Sequence, residues 1–366
     1  MISPNLESIL DLSKPLIINT ELFLQCHGHC SGCFLTEIER VEENTHLDKI
    51  RQPILDLLKN ADNYSHIILG FGRGNLLNLP QNNLIQLLEL MKECEKLVSK
   101  DKITYELSSS LIGKIDIQIE KAAFLLNQNR NIYLNVVINS EITSNTFWIN
   151  WEKFYNANSN LRKSWGMTDN FSDILVLNIN PKILPDLDFI EKYVANHGSP
   201  FNISLFPFSG ENITNDELIA LNEWSIKLWK KFKEKDLNIK NYLETLRQVD
   251  IGSSLNDLIQ YHENNKNAYY FIDKNGEITP GSLSIMGEVD YVRLLNKFNT
   301  DPDPIKALSL MQKTKPCNMC DYQKECLLSG AYLNMVNNSQ KIKGAKYCLS
   351  GYAPIFELSL DSQIDS

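Results

Sequence analysis

Seven of the eight cysteines fall into two groups at opposite ends of the chain, and this grouping restricts the possible folds more than any other feature. The groups are Cys26, Cys30 and Cys33, spaced C-x3-C-x2-C, and Cys317, Cys320, Cys326 and Cys348. The N-terminal segment carries acids where an export signal carries bases. Grouped thiols in such a chain favour metal binding over disulfides, so each group is expected to meet around a metal site.

The first group supplies three thiolates where a structural zinc site needs four ligands. An iron–sulfur cubane held by three cysteines leaves its fourth iron open to a substrate or cofactor. A Cys3His zinc site that uses His27 or His29 is the alternative. Cys94 lies on the apolar stripe of a predicted helix and is interpreted as a buried structural residue.

Composition excludes several functional classes. The hydrophobic fraction of 43% is typical of a globular protein. Acidic residues outnumber basic ones 45 to 36, for a net charge of −9, which argues against nucleic-acid binding. The chain has no apolar run of roughly 18–20 residues, so a membrane span is not expected and the predicted location is cytoplasmic.

Short β-like runs alternate with helical patterns along the first two thirds of the chain. Helical periodicity covers 81–100, and a second helix is predicted to begin at a capping box of Thr214 and Glu217. This alternation predicts an α/β fold, a partial (β/α)6 TIM-like barrel of parallel strands. The strand predictions are 22–24, which leads into Cys26, then 66–70, 102–108, 131–139, 173–180 and 202–208.

The cysteine loop after the first predicted strand, in a chain of six β/α units, resembles the radical SAM superfamily over about residues 16–236. A glycine run, Gly70-Phe-Gly72-Arg73-Gly74, follows the second strand where that family has its Gly-Gly-Glu-Pro-like turn. The resemblance implies a [4Fe-4S] cluster on the three cysteines, with S-adenosylmethionine (SAM) on the open iron. Its implied cofactor contacts here are Phe34, Gly70, Gly72, Arg73 and Gly74.

The C-terminal cysteines resemble part of the SPASM extension of many radical SAM enzymes, with Gly330 in place of one cysteine. A β-hairpin with an Asn275-Gly276 turn precedes them, as in that extension. The resemblance implies one auxiliary [4Fe-4S] cluster, and a structural zinc is the alternative. The predicted domains are a barrel (1–236), a helical bridge (237–265), a small C-terminal β-hairpin and cluster domain (266–352) and a tail (353–366).

Side chains alternate along a strand, so the mixed polar face of each strand is expected to point into the barrel. Glu106 is the one acid in this inner set, and it is predicted to grip a substrate amine or act as a base. A strand-end salt bridge is its alternative role. Four polar residues, Ser108, Asn139, Ser140 and Asn178, are predicted to lie on the cofactor side. The whole inner set is Thr104, Glu106, Ser108, Tyr133, Asn135, Val137, Asn139, Asn178, Asn180, Asn202, Ser204 and Phe206.

The resemblance implies a radical SAM enzyme that abstracts hydrogen from a peptide or protein, as in epimerisation, thioether formation or carbon–carbon crosslinking. It also implies a flavodoxin- or ferredoxin-type electron donor. Two alternatives stay open: a radical SAM oxidoreductase acting on a small molecule, and a zinc-stabilised binding protein without catalysis. Iron and zinc content would separate the last of these from the others.

Overall fold

A computed structural model describes most of the chain. The described residues are 15–28, 35–43, 45–72, 74–139, 145–167, 174–188, 190–191, 201–204, 214–234, 269–281, 304–323, 326 and 345–349.

Within these residues, strands and helices alternate along the chain. The strands are β1 (Pro15–Thr20), β2 (His66–Phe71), β3 (Ile103–Ser109), β4 (Ile132–Asn139), β5 (Ile174–Asn178), β6 (Phe201–Ser204), β7 (Tyr269–Ile272) and β8 (Ile278–Gly281). The helices are α1 (Glu37–Val41), α2 (Leu47–Leu58), α3 (Gln81–Leu97), α4 (Ile115–Gln128), α5 (Asn145–Ser164), α6 (Asn215–Glu234) and α7 (Pro304–Lys313).

All described strands join one sheet in the order β6-β5-β4-β3-β2-β1-β7-β8. The first six are parallel, and each is hydrogen-bonded to the next strand along the chain. Parallel crossovers are right-handed almost without exception, so a sequential order places the connecting helices on one face of the sheet. The predicted α/β class and parallel strands are confirmed, and sequential order is the arrangement that a partial barrel requires.

The first strand is not where the sequence predicts it. It is Pro15–Thr20 and not residues 22–24. Leu22, Phe23 and Leu24 are all buried, without the alternation of a half-exposed strand. Their backbone bonds go to loops: the amides of His46 and Gly74 donate to the carbonyls of Leu22 and Phe23, both at 3.0 Å. The apolar run is therefore loop backbone packed inside the protein.

The predicted hairpin is confirmed, but it extends the main sheet. Strand β7 pairs in parallel with β1 and antiparallel with β8. The Asp273 carboxylate accepts the amides of Asn275 and Glu277 in the turn, both at 2.8 Å. The domain boundaries stay a prediction. The bridge (237–265) and the tail (353–366) lie outside the described residues.

The two faces of the sheet differ in burial. On β3, Ile103, Tyr105 and Leu107 are buried, and the Tyr105 hydroxyl donates to the Met91 carbonyl of α3 at 3.0 Å. Glu106 and Ser108 point the other way and are partly exposed. We call the first side the helix face and the second the open face.

On strand β4, Ile132, Leu134 and Val136 are buried on the helix face; on the open face Asn135 is partly exposed and Tyr133 is buried. The predicted alternation is therefore confirmed on these two strands. The inner residue Phe206 lies outside the described part of the chain.

Helix α6 begins as predicted. The Thr214 amide donates to the Glu217 carboxylate at 2.7 Å, and the Glu217 amide donates to the Thr214 hydroxyl at 3.2 Å. This reciprocal pair satisfies two amides that the first turn leaves free. Across the described residues, no helix combines the length and apolar character that crossing a bilayer would need.

Candidate functional site

Cys26 lies on a loop that passes the carboxyl end of β3. Its amide donates to the Arg40 carbonyl at 3.0 Å. Its sulfur accepts the Gly28 amide at 3.4 Å and lies 3.9 Å from the Ser110 hydroxyl. The Arg40 guanidinium donates to the Gly28 carbonyl at 3.3 Å. The backbone around Cys26 is thus held from two sides, and its thiol is left partly exposed.

The other two cysteines of this loop, Cys30 and Cys33, lie outside the described residues, as does Phe34. Of the two candidate fourth ligands in the zinc alternative, His27 is exposed and His29 lies outside the described residues. The three-thiolate site therefore stays a prediction, and the structure contributes the position of Cys26, its first predicted ligand.

The glycine run packs against the backbone that leads into Cys26. The amides of Gly74 and Asn75 donate to the carbonyls of Phe23 and Gln25 at 3.0 and 2.8 Å. A Cβ on Gly74 would lie 2.1 Å from the Gln25 carbonyl oxygen. No side chain fits in that space, so the glycine lets the two loops meet.

Gly70 and Gly72 are in contact with β1. A Cβ on Gly70 would lie 2.1 Å from Oδ1 of Asn19. Gly72 has a φ of +116°, which favours glycine. Contacts within the protein thus explain why Gly70 and Gly74 have no side chain. Their contact with a cofactor stays a prediction. Arg73 lies outside the described residues.

A buried polar network, which the sequence analysis missed, joins the loops at the carboxyl ends of β2 and β3. Asn75 is fully buried, accepts the Ser109 hydroxyl at 2.8 Å and donates to the Ile112 carbonyl at 3.1 Å. The Gln118 amide donates to the same carbonyl at 3.0 Å. The sequence does contain a signal for this network. Asn75 directly follows the glycine run, and a small polar residue at that place lies between two loops.

Glu106 and Asn135 face each other on the open face. The Asn135 amide donates to the Glu106 carboxylate at 3.3 Å. Burial raises the pKa of the Glu106 carboxyl above its ordinary value, and the hydrogen bond from Asn135 opposes the rise. Ser108 lies on the same face, opposite Asn135 in the β3–β4 register. The predicted strand-end salt bridge of Glu106 is not formed with any described residue.

The remaining predicted contacts lie at strand ends. Asn139 pairs with Asn178 in the β4–β5 register, and Asn178 pairs with Ser204 of β6. These backbone positions therefore lie side by side at the carboxyl edge. Ser140 lies outside the described residues.

The hairpin turn reaches back to the cysteine loop. Lys274 Nζ lies 3.0 Å from Oε1 of Glu39, the capping-box residue of α1. The Lys274 amide donates to Glu21 Oε2 at 3.1 Å, and the Glu21 amide donates to the Ile272 carbonyl at 2.9 Å. Because Arg40, beside Glu39, accepts the Cys26 amide, the hairpin supports the loop that carries the cysteine.

The C-terminal cysteines are partly assembled. Cys317 is buried, and burial raises the pKa of its thiol to about 12, with smaller contributions from the nearby Cys348 and Cys320. The Asn222 amide of α6 donates to the Cys348 carbonyl at 3.4 Å. Tertiary structure thus brings the distant Cys348 close to Cys317 and Cys320.

Among the described residues, no three His, Cys, Asp or Glu side chains meet in a geometry that would hold a metal ion. The four C-terminal cysteines accordingly stay a predicted ligand set.

The fold is similar to that of several proteins of known structure. The anSMEcpe structure with bound AdoMet and the Cp18Cys peptide has a TM-score of 0.58 at 14% identity, covering 96% of this chain and 98% of that one. The complex with AdoMet and the Kp18Cys peptide has a TM-score of 0.56 at 14% identity, with the same coverage. The complex with AdoMet alone has a TM-score of 0.56 at 13% identity, also with that coverage. No family model and no curated protein matches the sequence.

Proposed function

We propose that this protein is a radical SAM enzyme that acts on a peptide or protein substrate. The observation that carries the proposal is the position of Cys26, first ligand of a C-x3-C-x2-C loop, beside Ser110 at the carboxyl end of a sequential parallel sheet. Ligands of open parallel α/β sheets bind at that edge. A fold shared with a protein solved with AdoMet and a peptide supports both the cofactor and the substrate class.

The donor set suits the implied cofactor. Soft thiolates suit iron–sulfur clusters, and three of them leave one iron open. When bound, that cluster supplies the electron that cleaves SAM to a 5′-deoxyadenosyl radical. The protein's part is to hold the Cys26 loop against Gly74 and Arg40, and to present polar groups on the open face.

The expected roles follow from position. Cys26, Cys30 and Cys33 would bind the cluster, and the carboxyl-edge residues Ser108, Asn139, Ser140 and Asn178 would contact SAM. The four C-terminal cysteines would hold an auxiliary cluster. A flavodoxin- or ferredoxin-type donor would supply the electron.

The test is anaerobic incubation of the reconstituted full chain with SAM and dithionite. We expect about eight irons per chain if both cubanes form, and release of 5′-deoxyadenosine. The Cys30→Ala variant should release none. Cys94→Ala is the matched control, because Cys94 is fully buried in α3 and burial raises the pKa of its thiol to about 12.

Two results would contradict the proposal. One is wild-type SAM cleavage by Cys30→Ala. The other is colourless protein that contains zinc and no iron, which would favour the non-catalytic binding protein.

A further inference from the structure

Several side chains on the open face are partly exposed, whereas their neighbours on the helix face are buried. On this face Ile68, Glu106 and Ser108 are partly exposed, whereas Thr104 is buried. A small barrel filled by its own side chains would bury both sets. The open face is therefore partly accessible around Glu106, and the groups there indicate which ligand would bind.

Glu106 has no side chain beside it on β2, because its register partner there is Gly70. The Asn19 amide lies over that glycine, with Oδ1 where a Cβ would be. On the other side, Asn135 donates to Glu106 Oε2. The Glu106 carboxylate thus contacts the Asn135 amide, and the position beside it on β2 carries no side chain.

The pair has an excess of hydrogen-bond acceptors. The Asn135 carbonyl oxygen is buried and has no partner in the described part of the protein. Glu106 receives a single amide and no ammonium or guanidinium group from those same residues. Removing a carboxylate from water is costly, and burial correspondingly raises the pKa of Glu106. Among the described residues, no lysine or arginine side chain meets this carboxylate.

We infer that Glu106 and Asn135 bind a primary ammonium group of the substrate. An ammonium carries three donors and no acceptor, which matches the unpartnered Asn135 oxygen and the Glu106 carboxylate. Glu106 lies four residues before Ser110, or about 13 Å along the strand from the Cys26 contact at ~3.3 Å per residue. The ammonium would therefore be at the end of a long side chain such as that of lysine. This inference rests on the proposed function, since it names part of that substrate.

The test uses two small probes on the reconstituted full chain. Nα-acetyl-lysine N-methylamide carries the ammonium, and Nα-acetyl-norleucine N-methylamide has a methyl group in its place. Ligand-observed NMR at neutral pH gives the affinity of each. A charge-assisted hydrogen bond predicts that the lysine probe binds at least ~10-fold more tightly.

Three variants separate recognition from structural effects. Glu106→Gln should abolish the preference for the lysine probe. Glu89→Gln, the same change on the exposed side of α3, should preserve it. The double variant Glu106→Gln with Asn135→Asp should restore it, because a carboxylate returns to the adjacent strand. A residue needed only for folding would not show this rescue, and the rescue can be read even if Glu106→Gln alone folds poorly.

Equal affinity of the wild type for both probes, or a preference that survives in Glu106→Gln, would overturn the inference. The same samples are assayed for 5′-deoxyadenosine. Its absence in the wild type contradicts the proposed function, whereas its presence without a probe preference contradicts the ammonium site alone.

Discussion

Gly74 shows how one residue can hold two loops together. Its Cβ position is occupied by the backbone of Gln25, directly before Cys26, and backbone cannot rotate away as a side-chain tip can. The resemblance noted in the sequence predicts that this glycine belongs to a cofactor-binding run. The structure adds a packing reason for it, because only a residue without a side chain lets the two loops meet.

We therefore expect Gly74→Ala to destabilise the protein by about 1–3 kcal/mol, the usual cost of overpacking, and to lower the iron bound at the cysteine loop. Chemical denaturation and iron analysis measure the two effects. Gly166→Ala is the control, since Gly166 has a φ of +75° and no atom within 4 Å of its Cβ position. It should lose stability through backbone strain and keep its iron. Normal iron content in Gly74→Ala would contradict the role of the contact.

Glu106 illustrates what alternation along a strand can and cannot predict. The period of two correctly assigns Glu106, Ser108 and Asn135 to one face, because tyrosine and aliphatic residues between them pack on the helices. It does not reveal that Glu106 faces Gly70 on one side and an amide on the other. That neighbourhood depends on the register between strands, which the local sequence does not encode.

At the scale of elements, the β7–β8 hairpin supports the cysteine loop through Lys274 and Glu39. The Glu39 side chain is 8% exposed and that of Lys274 is 36% exposed. Glu39 also accepts the Thr36 amide at 2.9 Å, so one carboxylate caps α1 and anchors the hairpin. A partly buried ion pair of this kind is worth more than one in open solvent.

A double-mutant cycle with Glu39→Gln and Lys274→Met measures this contact. We expect a coupling energy of about 1–2 kcal/mol in the free energy of unfolding. The matched control is the pair Asp56 and Lys59, whose side chains are both 54% exposed, where no coupling should be measurable. Equal coupling in the two cycles would show that the hairpin does not stabilise the loop.

On the scale of the whole molecule, the segment that carries Cys348 packs against α6. The Lys346 amide donates to the Asn215 side chain at 3.2 Å, and Asn222 donates to the Cys348 carbonyl. These bonds place the last described segment of the chain beside α6. A metal that joins Cys348 to Cys317 would close this loop covalently.

We expect Cys348→Ser to lower the Tm of metal-loaded protein by several degrees and to change little after the metal is removed with a chelator. Closing a loop of roughly 30 residues contributes about 3–4 kcal/mol, and this contribution requires the metal. Thermal unfolding with and without chelator provides the measurement. An equal loss in both states would mean that Cys348 has a packing role and binds no metal.

The sequence by itself determined the α/β class of the fold, the alternation of strands and helices, and the face of each strand on which Glu106 and Asn135 lie. These are local properties, since periodicity and turn residues act over a few positions. Tertiary structure alone decided that β1 precedes the buried run at Leu22, that the hairpin pairs with β1, and that Gly74 meets Gln25. Each of these depends on contacts between segments distant in the chain, and the free energy of such contacts comes from packing and hydrogen bonds that no single segment contains.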